Sequence, residues 1–387
     1  MALENLRNLL RKIASQNKYD NPEINIDEIS SGGANYTSKL YTVVIKAQNK
    51  EDLHLFAKVA ATGEAFRRDI PINAFKTEDF AYVKLAKTYA TLEEENGVPE
   101  EHRLHFAKFY GSDPTEYQEI LVIENLMANG YGPHDRFNTV DWEYASATVA
   151  DLAKMHALSF AFSKHYPEEF EKALEELHFD FNNFGGLDIM LKRSTDLALD
   201  NVKPENKEVL KKFLQDQKNP FEMYVPIRSK VIVHADFRGN NLLHKVREDG
   251  KVEIKIVDLQ TLQAGSPITD LLYFIFTGSD EEFRAKYFDK LIDHYYSELS
   301  AAMRRLNLNP DEIFPREDFD YEFKEKLPFG LTLAVFTLPV ITVDTANAPE
   351  VNENLDISNF AIEKTSDLYA ERLNGVVNDY VKWGILK

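Results

Sequence analysis

His234-Ala235-Asp236, with Asn241 five residues beyond the Asp, forms a polar loop entered from the apolar stretch KVIVH. An Asp placed there can orient or deprotonate a hydroxyl, and an Asn carboxamide oxygen can ligate a hard divalent cation. With ten His in the chain, chance matches to H-x-D-x-x-x-x-N number roughly 0.05, so coincidence is a poor account of the motif. The plainer alternative is a loop whose Asp and Asn only satisfy turn amides. Asp258 weighs against it. This carboxylate ends VEIKIVD, in which Val252, Ile254 and Ile256 share one face of a strand. A hairpin returning the chain from Asn241 to Asp258 would gather Asp236, Asn241 and Asp258 around one point, a geometry for Mg²⁺ and a phosphoryl group.

Two further places could hold phosphates. Lys58 sits in LFAKVA, a strand too apolar for an ammonium without a partner, and Glu78 on the following helix could supply one. Taken singly, each residue more often meets solvent. Gly32, Gly33 and Asn35 lie in SSGGANY before the first expected strand, where glycines would let backbone amides approach phosphate oxygens. A glycine pair before a strand is also an ordinary turn.

The elements that must position these residues are legible as periods. Leu3, Leu6, Leu9, Leu10 and Ile13 make one side of an N-terminal helix. From Asn35, YTVVIKA and HLFAKVA read as antiparallel strands joined by a turn at 48–52. An amphipathic helix spans 72–95, and HFAKFYG and EILVIEN are further strands. After Asn125 the chain becomes mostly helical, over 140–162, 167–177 and 204–215, broken by the strand, loop and hairpin of residues 230–258. Ser279 and Glu282 have capping-box spacing, Leu327 to Val343 reads as a buried helix, and a last helix covers 366–383. The expected fold class is α+β and bilobal, a small antiparallel sheet followed by a larger helical part, divided as 1–126 and 127–387.

Composition bounds the partners. Forty-five Lys and Arg against 64 Asp and Glu leave a formal charge of −19, which repels nucleic acid and anionic membranes. A polyanionic ligand therefore needs local lysine, backbone amides and a divalent cation. The absence of Cys excludes thiolate catalysis and Cys-ligated zinc. The apolar runs are too short or too interrupted for a signal peptide or a membrane span, so a cytoplasmic location without membrane insertion or an obligate protein partner is expected. His156, beside Leu152 and Met155 on a helix face, reads as a core histidine.

In chain order, a glycine loop, a strand Lys, a helix Glu, a hinge, H-x-D-x-x-x-x-N and a strand-end Asp look like the protein-kinase-like fold. The absence of an HRD loop and of Asp-Phe-Gly brings the resemblance closer to small-molecule kinases, the aminoglycoside and choline kinases. Within that group the sequence resembles the ecdysteroid kinase-like family. The resemblance lies in His234 to Asn241, Asp258-Leu259-Gln260, Asp270 to Phe274, Phe75 to Tyr82, Ile123 to Leu126 and Met155-His156-Ala157, and so spans nearly the whole chain. Departures from that pattern are Ala235 for glycine, Phe237-Arg238 for leucine and tryptophan, and Leu259 for phenylalanine.

The resemblance implies an ATP- and Mg²⁺-dependent kinase acting on a hydroxyl of an ecdysteroid or similar apolar alcohol. Asp236 would be the base, Asn241 and Asp258 the Mg²⁺ ligands, and Lys58 the phosphate ligand supported by Glu78. Glu124, Asn125 and Leu126 would form the hinge that receives adenine. His234 would brace the loop, with Gln260 and Asp270 behind the ligands. Rival readings are a choline-, ethanolamine- or aminoglycoside-type kinase, and a non-catalytic kinase-like binding protein.

Overall fold

The computed structural model describes residues 2–29, 38–61, 63–64, 67, 73–178, 187–216, 223–344, 362 and 365–387. Helix α1 (Ala2–Gln16) buries Leu6, Leu10, Ile13 and Ala14, while Leu3 in its first turn stays exposed. Strands β1 (Glu23–Ile29), β2 (Ser38–Lys46) and β3 (Leu53–Ala60) follow. Helix α2 (Ala74–Phe80) runs through a π-helical turn at Ala81–Leu85 into α3 (Ala86–Glu95). Strands β4 (Phe109–Asp113) and β5 (Ile120–Glu124) complete an antiparallel sheet of order β1-β2-β3-β5-β4.

Strand alternation gives this sheet two working faces. Val43, Ile45, Leu55, Ala57, Val59, Ile120 and Val122 pack against α1. Leu121, Ile123 and Phe56 turn the other way, into the core that includes α2 and α3, and Lys58 shares that face with Phe56. Strand β1 is the unanticipated member. EINIDEI carries three acidic residues and no buried side chain, so its place comes from backbone pairing with β2, from Glu23 opposite Lys46 to Ile29 opposite Leu40.

The rest of the chain is mainly helical. β6 (Gly132–Pro133) precedes α4 (Trp142–His165), α5 (Pro167–Glu176), α6 (Leu187–Asn201) and α7 (Lys207–Asp216). Strand β7 (Val231–Val233) leads to the hairpin of β8 (Leu242–Val246) and β9 (Val252–Ile256), with β10 (Gln263–Gly265) returning beside β7. Helices α8 (Pro267–Gly278), α9 (Glu281–Arg305), α10 (Pro310–Ile313), α11 (Arg316–Ile341) and α12 (Asp367–Lys382) finish the chain.

Two points differ from the sequence reading and one agrees with it. Helices α6 and α8 were not anticipated; α8 is buried on nearly every side, so PITDLLYFIFTG shows no polar stripe to reveal a helical period. The cap of α9 is Asp280, whose carboxylate accepts from Phe283 N at 2.7 Å, whereas Ser279 Oγ donates back to Ile275 O. The stretch Leu327 to Ile341 is a buried helix as expected, continuous through Pro328 and Pro339. Among the described residues no helix is long and apolar enough to cross a membrane.

Candidate active site

Strand β7 delivers the motif. Its residues Val231 to Val233 are fully buried, and Ile232 N donates to Ser159 Oγ of α4 at 2.7 Å, which locks the strand to the helical core. The chain then turns sharply. Ala235 adopts φ +63°, a left-handed conformation that L-residues seldom take, and this aims two successive amides at one acceptor. His234 N and Ala235 N donate to the two oxygens of Asp270, at 2.7 and 2.8 Å. Asp270 is wholly buried in the first turn of α8 and also meets His156 Nε2 at 3.2 Å, while His156 Nδ1 faces Tyr295 Oη at 2.7 Å. His156 is a core histidine, and through Asp270 it stands behind the motif.

His234 braces the loop from within. It is fully buried, its Nε2 lies 3.0 Å from Val257 O, and its Nδ1 accepts from Asp236 N at 3.3 Å. One ring therefore joins the segment that leads from β9 into Asp258 to the amide of Asp236, as a protonated Nε2 and an acceptor Nδ1. Thr261 Oγ1 donates to His234 O at 2.8 Å and adds a second tie. Phe237, a departure from the family pattern, is absorbed into the core between His234 and Phe274.

Both oxygens of Asp236 are engaged. Asn241 Nδ2 donates to Oδ2 at 2.9 Å and to the Asp236 carbonyl at 2.8 Å, which leaves the Asn241 carboxamide oxygen as the end able to meet a cation. Arg238 Nε donates to Oδ1 at 2.8 Å, and the Tyr273 phenol of α8 is a third neighbour. Burial alone would lower the Arg238 guanidinium, but Asp236 and then Tyr273 hold it above its ordinary value. Arg238 and Tyr273 are the functional neighbours that the sequence reading missed. The available signals were a cation two residues after the base and a Tyr three residues after Asp270 on one helix face.

The β8–β9 hairpin places Leu242 opposite Ile256, and Val257 N donates to Asn241 O at 2.9 Å, so Asn241 and the segment preceding Asp258 are neighbours. Asp258 itself has φ +63°. Lys58 Nζ is 2.9 Å from both oxygens of Glu78 and makes a short ion pair with Asp258 Oδ1. Gln260 Nε2 donates to Asp258 Oδ2 at 3.2 Å. The Lys58 side chain is only 10% exposed, so burial would lower its ammonium, but Asp258 and Glu78 together raise it above the ordinary lysine value. The carboxylates share one cation unequally. Burial pushes Glu78 up against the pull of Lys58, whereas for Asp258 the attraction of Lys58 overcomes burial and holds it down.

The predicted hinge residues are partly committed. Glu124 N donates to Lys108 O at 2.8 Å and Asn125 N to His54 O at 3.1 Å, while the Asn125 side chain caps Met127 N and Ala128 N. Leu126 follows, buried at the start of a short 3₁₀ turn. The expected phosphate loop at Gly32, Gly33 and Asn35 lies outside the described residues.

The donor set fits Mg²⁺. Asp236, Asn241 and Asp258 offer hard oxygens from residues tied together through His234 and Val257, and Mg²⁺ is commonly held by one or two carboxylates plus substrate phosphates. Among the described residues no group of three or more His, Asp or Glu converges as an all-protein metal cage.

Comparison with known proteins places the chain. No curated protein matches it. Among solved structures it is similar to an ethanolamine kinase from Plasmodium vivax, at 11% identity and TM-score 0.46, over 94% of this chain and 82% of that one. It is also similar to a GDP complex of an aminoglycoside 2'-phosphotransferase, at 10% identity and TM-score 0.46, over 96% of each chain. A third is an aminoglycoside phosphotransferase from Streptomyces rimosus in complex with ADP and streptomycin, at 13% identity and TM-score 0.34, over 85% of this chain and 99% of that one. Likenesses this distant say nothing about an acceptor. The ecdysteroid kinase-like family matches residues 32–308, more than half of the chain and both halves of the site just described, so the protein belongs to the ecdysteroid kinase-like family.

Proposed function

We propose that this small-molecule kinase transfers the γ-phosphoryl group of ATP to a hydroxyl of an ecdysteroid or a similar largely apolar alcohol, with Mg²⁺. The observation that carries the reading is the joining of Lys58, Glu78 and Asp258 in one buried ion-pair group, linked through His234 to Asp236 and Asn241. Lys58, held by Glu78, would meet α- and β-phosphate oxygens, and the Leu126 N–H would meet the adenine edge. Asn241 and Asp258 would hold Mg²⁺, which supplies neutralisation of phosphate charge when bound.

Asp236 orients the acceptor hydroxyl. As the hydroxyl oxygen bonds to the γ-phosphorus in line, the bond to the ADP oxygen breaks and the hydroxyl proton passes to Asp236. Three neighbours on Asp236, namely Arg238, Asn241 and Tyr273, fix its direction, so alignment of the hydroxyl is its main contribution.

Mass spectrometry of a pooled steroid, sterol and choline panel with Mg-ATP tests this. A product heavier by one phosphoryl group is expected from the native enzyme. Asp236→Asn should lower turnover by roughly 10²- to 10⁴-fold with little change in ATP binding. Undiminished turnover in that variant would sink the assignment. Saturating Mg-ATP at about 100 times Kd should stabilise the protein by about 2.7 kcal/mol, and Asp258→Asn should lose most of the Mg²⁺-dependent part, read by thermal shift.

A further inference from the structure

Every backbone polar group from His234 N to Asp236 N has a partner. Asp270 accepts from His234 N at 2.7 Å and from Ala235 N at 2.8 Å, Thr261 Oγ1 donates to His234 O at 2.8 Å, and His234 Nδ1 accepts from Asp236 N at 3.3 Å. The remaining group is Ala235 O, which accepts from Tyr224 Oη at 3.2 Å in a buried contact. The peptide between Ala235 and Asp236 is therefore held at both ends, its carbonyl by Tyr224 and its amide by His234. That peptide is planar, so holding it anchors the N–Cα bond from which Asp236 projects. Ala235 sits at φ +63°, and a backbone in that region persists only where its surroundings over-determine it.

Tyr224 is itself firmly built in. Its ring packs edge-on against Phe329 of α11, 5.1 Å between centroids at 75°, and its carbonyl accepts from the N-cap Ser266 N of α8 at 3.2 Å. A phenylalanine would make the same ring contact, so the hydroxyl is the part that serves the loop. The backbone on either side of Tyr224 is clamped by two buried charges one turn apart on α11. Lys326 Nζ donates to Met223 O at 2.6 Å and to Val225 O, and Glu322 accepts from Ile227 N at 3.1 Å and Arg228 N at 3.0 Å. The Val225 and Ile227 side chains are exposed, so these bonds and the Tyr224 ring hold the segment. Buried charges are costly unless hydrogen-bonded, and here both are spent on the segment that carries Tyr224. Burial raises the Tyr224 phenol well above its ordinary value, and Asp270 and Asp236 raise it further, so its hydroxyl stays a donor at neutral pH.

We infer that Tyr224 is a positioning residue for phosphoryl transfer, acting through the Ala235 carbonyl to hold Asp236 in line with the acceptor hydroxyl, and that Glu322 and Lys326 of α11 set its place. The inference rests on Asp236 being the residue that orients the hydroxyl. Because Tyr224 acts on Asp236 through the backbone, its hydroxyl should matter to turnover and not to nucleotide affinity. A misplacement of about 1 Å at a reacting group can cost about 10²-fold in rate.

Tyr224→Phe tests it, because it keeps the ring against Phe329 and removes only the hydroxyl. With Mg-ATP and the acceptor found by mass spectrometry, kcat should fall about 10- to 100-fold while the KM for ATP changes by less than about twofold. In an Asp236→Asn chain the same substitution should lower kcat by less than about twofold more, since the residue through which Tyr224 acts is already lost. Native kcat in Tyr224→Phe overturns the inference, and so does a raised KM for ATP with kcat unchanged. A full further loss on top of Asp236→Asn also overturns it, by showing a general weakening of the fold. Undiminished turnover in Asp236→Asn alone sinks the assignment of the base and this inference with it, whereas a loss there with none in Tyr224→Phe sinks this inference alone. If no acceptor is phosphorylated, amide hydrogen exchange over residues 234–241 decides. Faster exchange there in Tyr224→Phe, with α4 and α9 unchanged, supports the brace, and equal exchange overturns it.

Discussion

Ala235 and Asp258 both hold φ near +63°, at the two points where the chain must turn to present its carboxylates. For Ala235 the conformation serves the amide pair on Asp270, and it has a cost. An L-residue in the left-handed region loses roughly 1–2 kcal/mol, and glycine returns about 0.5–1 kcal/mol of that as unfolded-state entropy. Ala235→Gly should therefore stabilise the protein by about 0.5–1 kcal/mol, measured by denaturant unfolding, with turnover retained; a destabilised variant would mean that the Ala235 methyl packs usefully in the core. At Lys58 the balance is different. Lys58→Met would leave Glu78 and Asp258 buried together without their cation, and should cost about 3–5 kcal/mol in addition to phosphate binding. Equal unfolding midpoints for native and variant chains would contradict that account.

Helices α2 and α3, with the π-helical turn between them, link the sheet to the helical part. Glu78 meets Lys58 near one end, and at the other Glu93 accepts from Leu104 N at 2.8 Å. Burial pushes the Glu93 carboxyl up to about 7, against the opposing pull of the Leu104 amide and Arg103. A folded-state value above the unfolded one means that the native protein binds the proton more tightly. Glu93 therefore adds stability below about pH 4.5, and that contribution fades as pH rises towards 7. Glu93→Gln keeps an acceptor for Leu104 N and removes the titration. It should match the native chain near pH 4 and exceed its stability by about 2 kcal/mol at pH 8, because each tenfold difference in proton affinity is worth about 1.4 kcal/mol and solvent screens part of it. A native-minus-variant difference that does not change with pH would refute this.

Of the two hydrophobic cores, the larger runs from Phe80 on α2 to Leu386, and Tyr82, Leu85, Tyr89 and Leu92 belong to it, while the smaller lies between α1 and the sheet. The division at 126/127 is thus proposed as one between lobes, not between independent folding units. A 1–126 fragment should lack native circular dichroism, because the apolar face of α2 and α3 loses its partners; a folded fragment would refute this. The sequence by itself determined the family, the chemistry-bearing residue types and the strands and helices with a clear period, since H-x-D-x-x-x-x-N and apolar alternation are local. It did not reveal β1, whose acidic side chains hide a backbone pairing, or α8, whose burial leaves no polar stripe. Only the tertiary structure decided that Lys58 pairs with Asp258 as well as Glu78 and that Asp270 gathers two amides and His156. Such pairings join residues far apart in the chain, and pairing at a distance is set by packing, which no local spacing encodes.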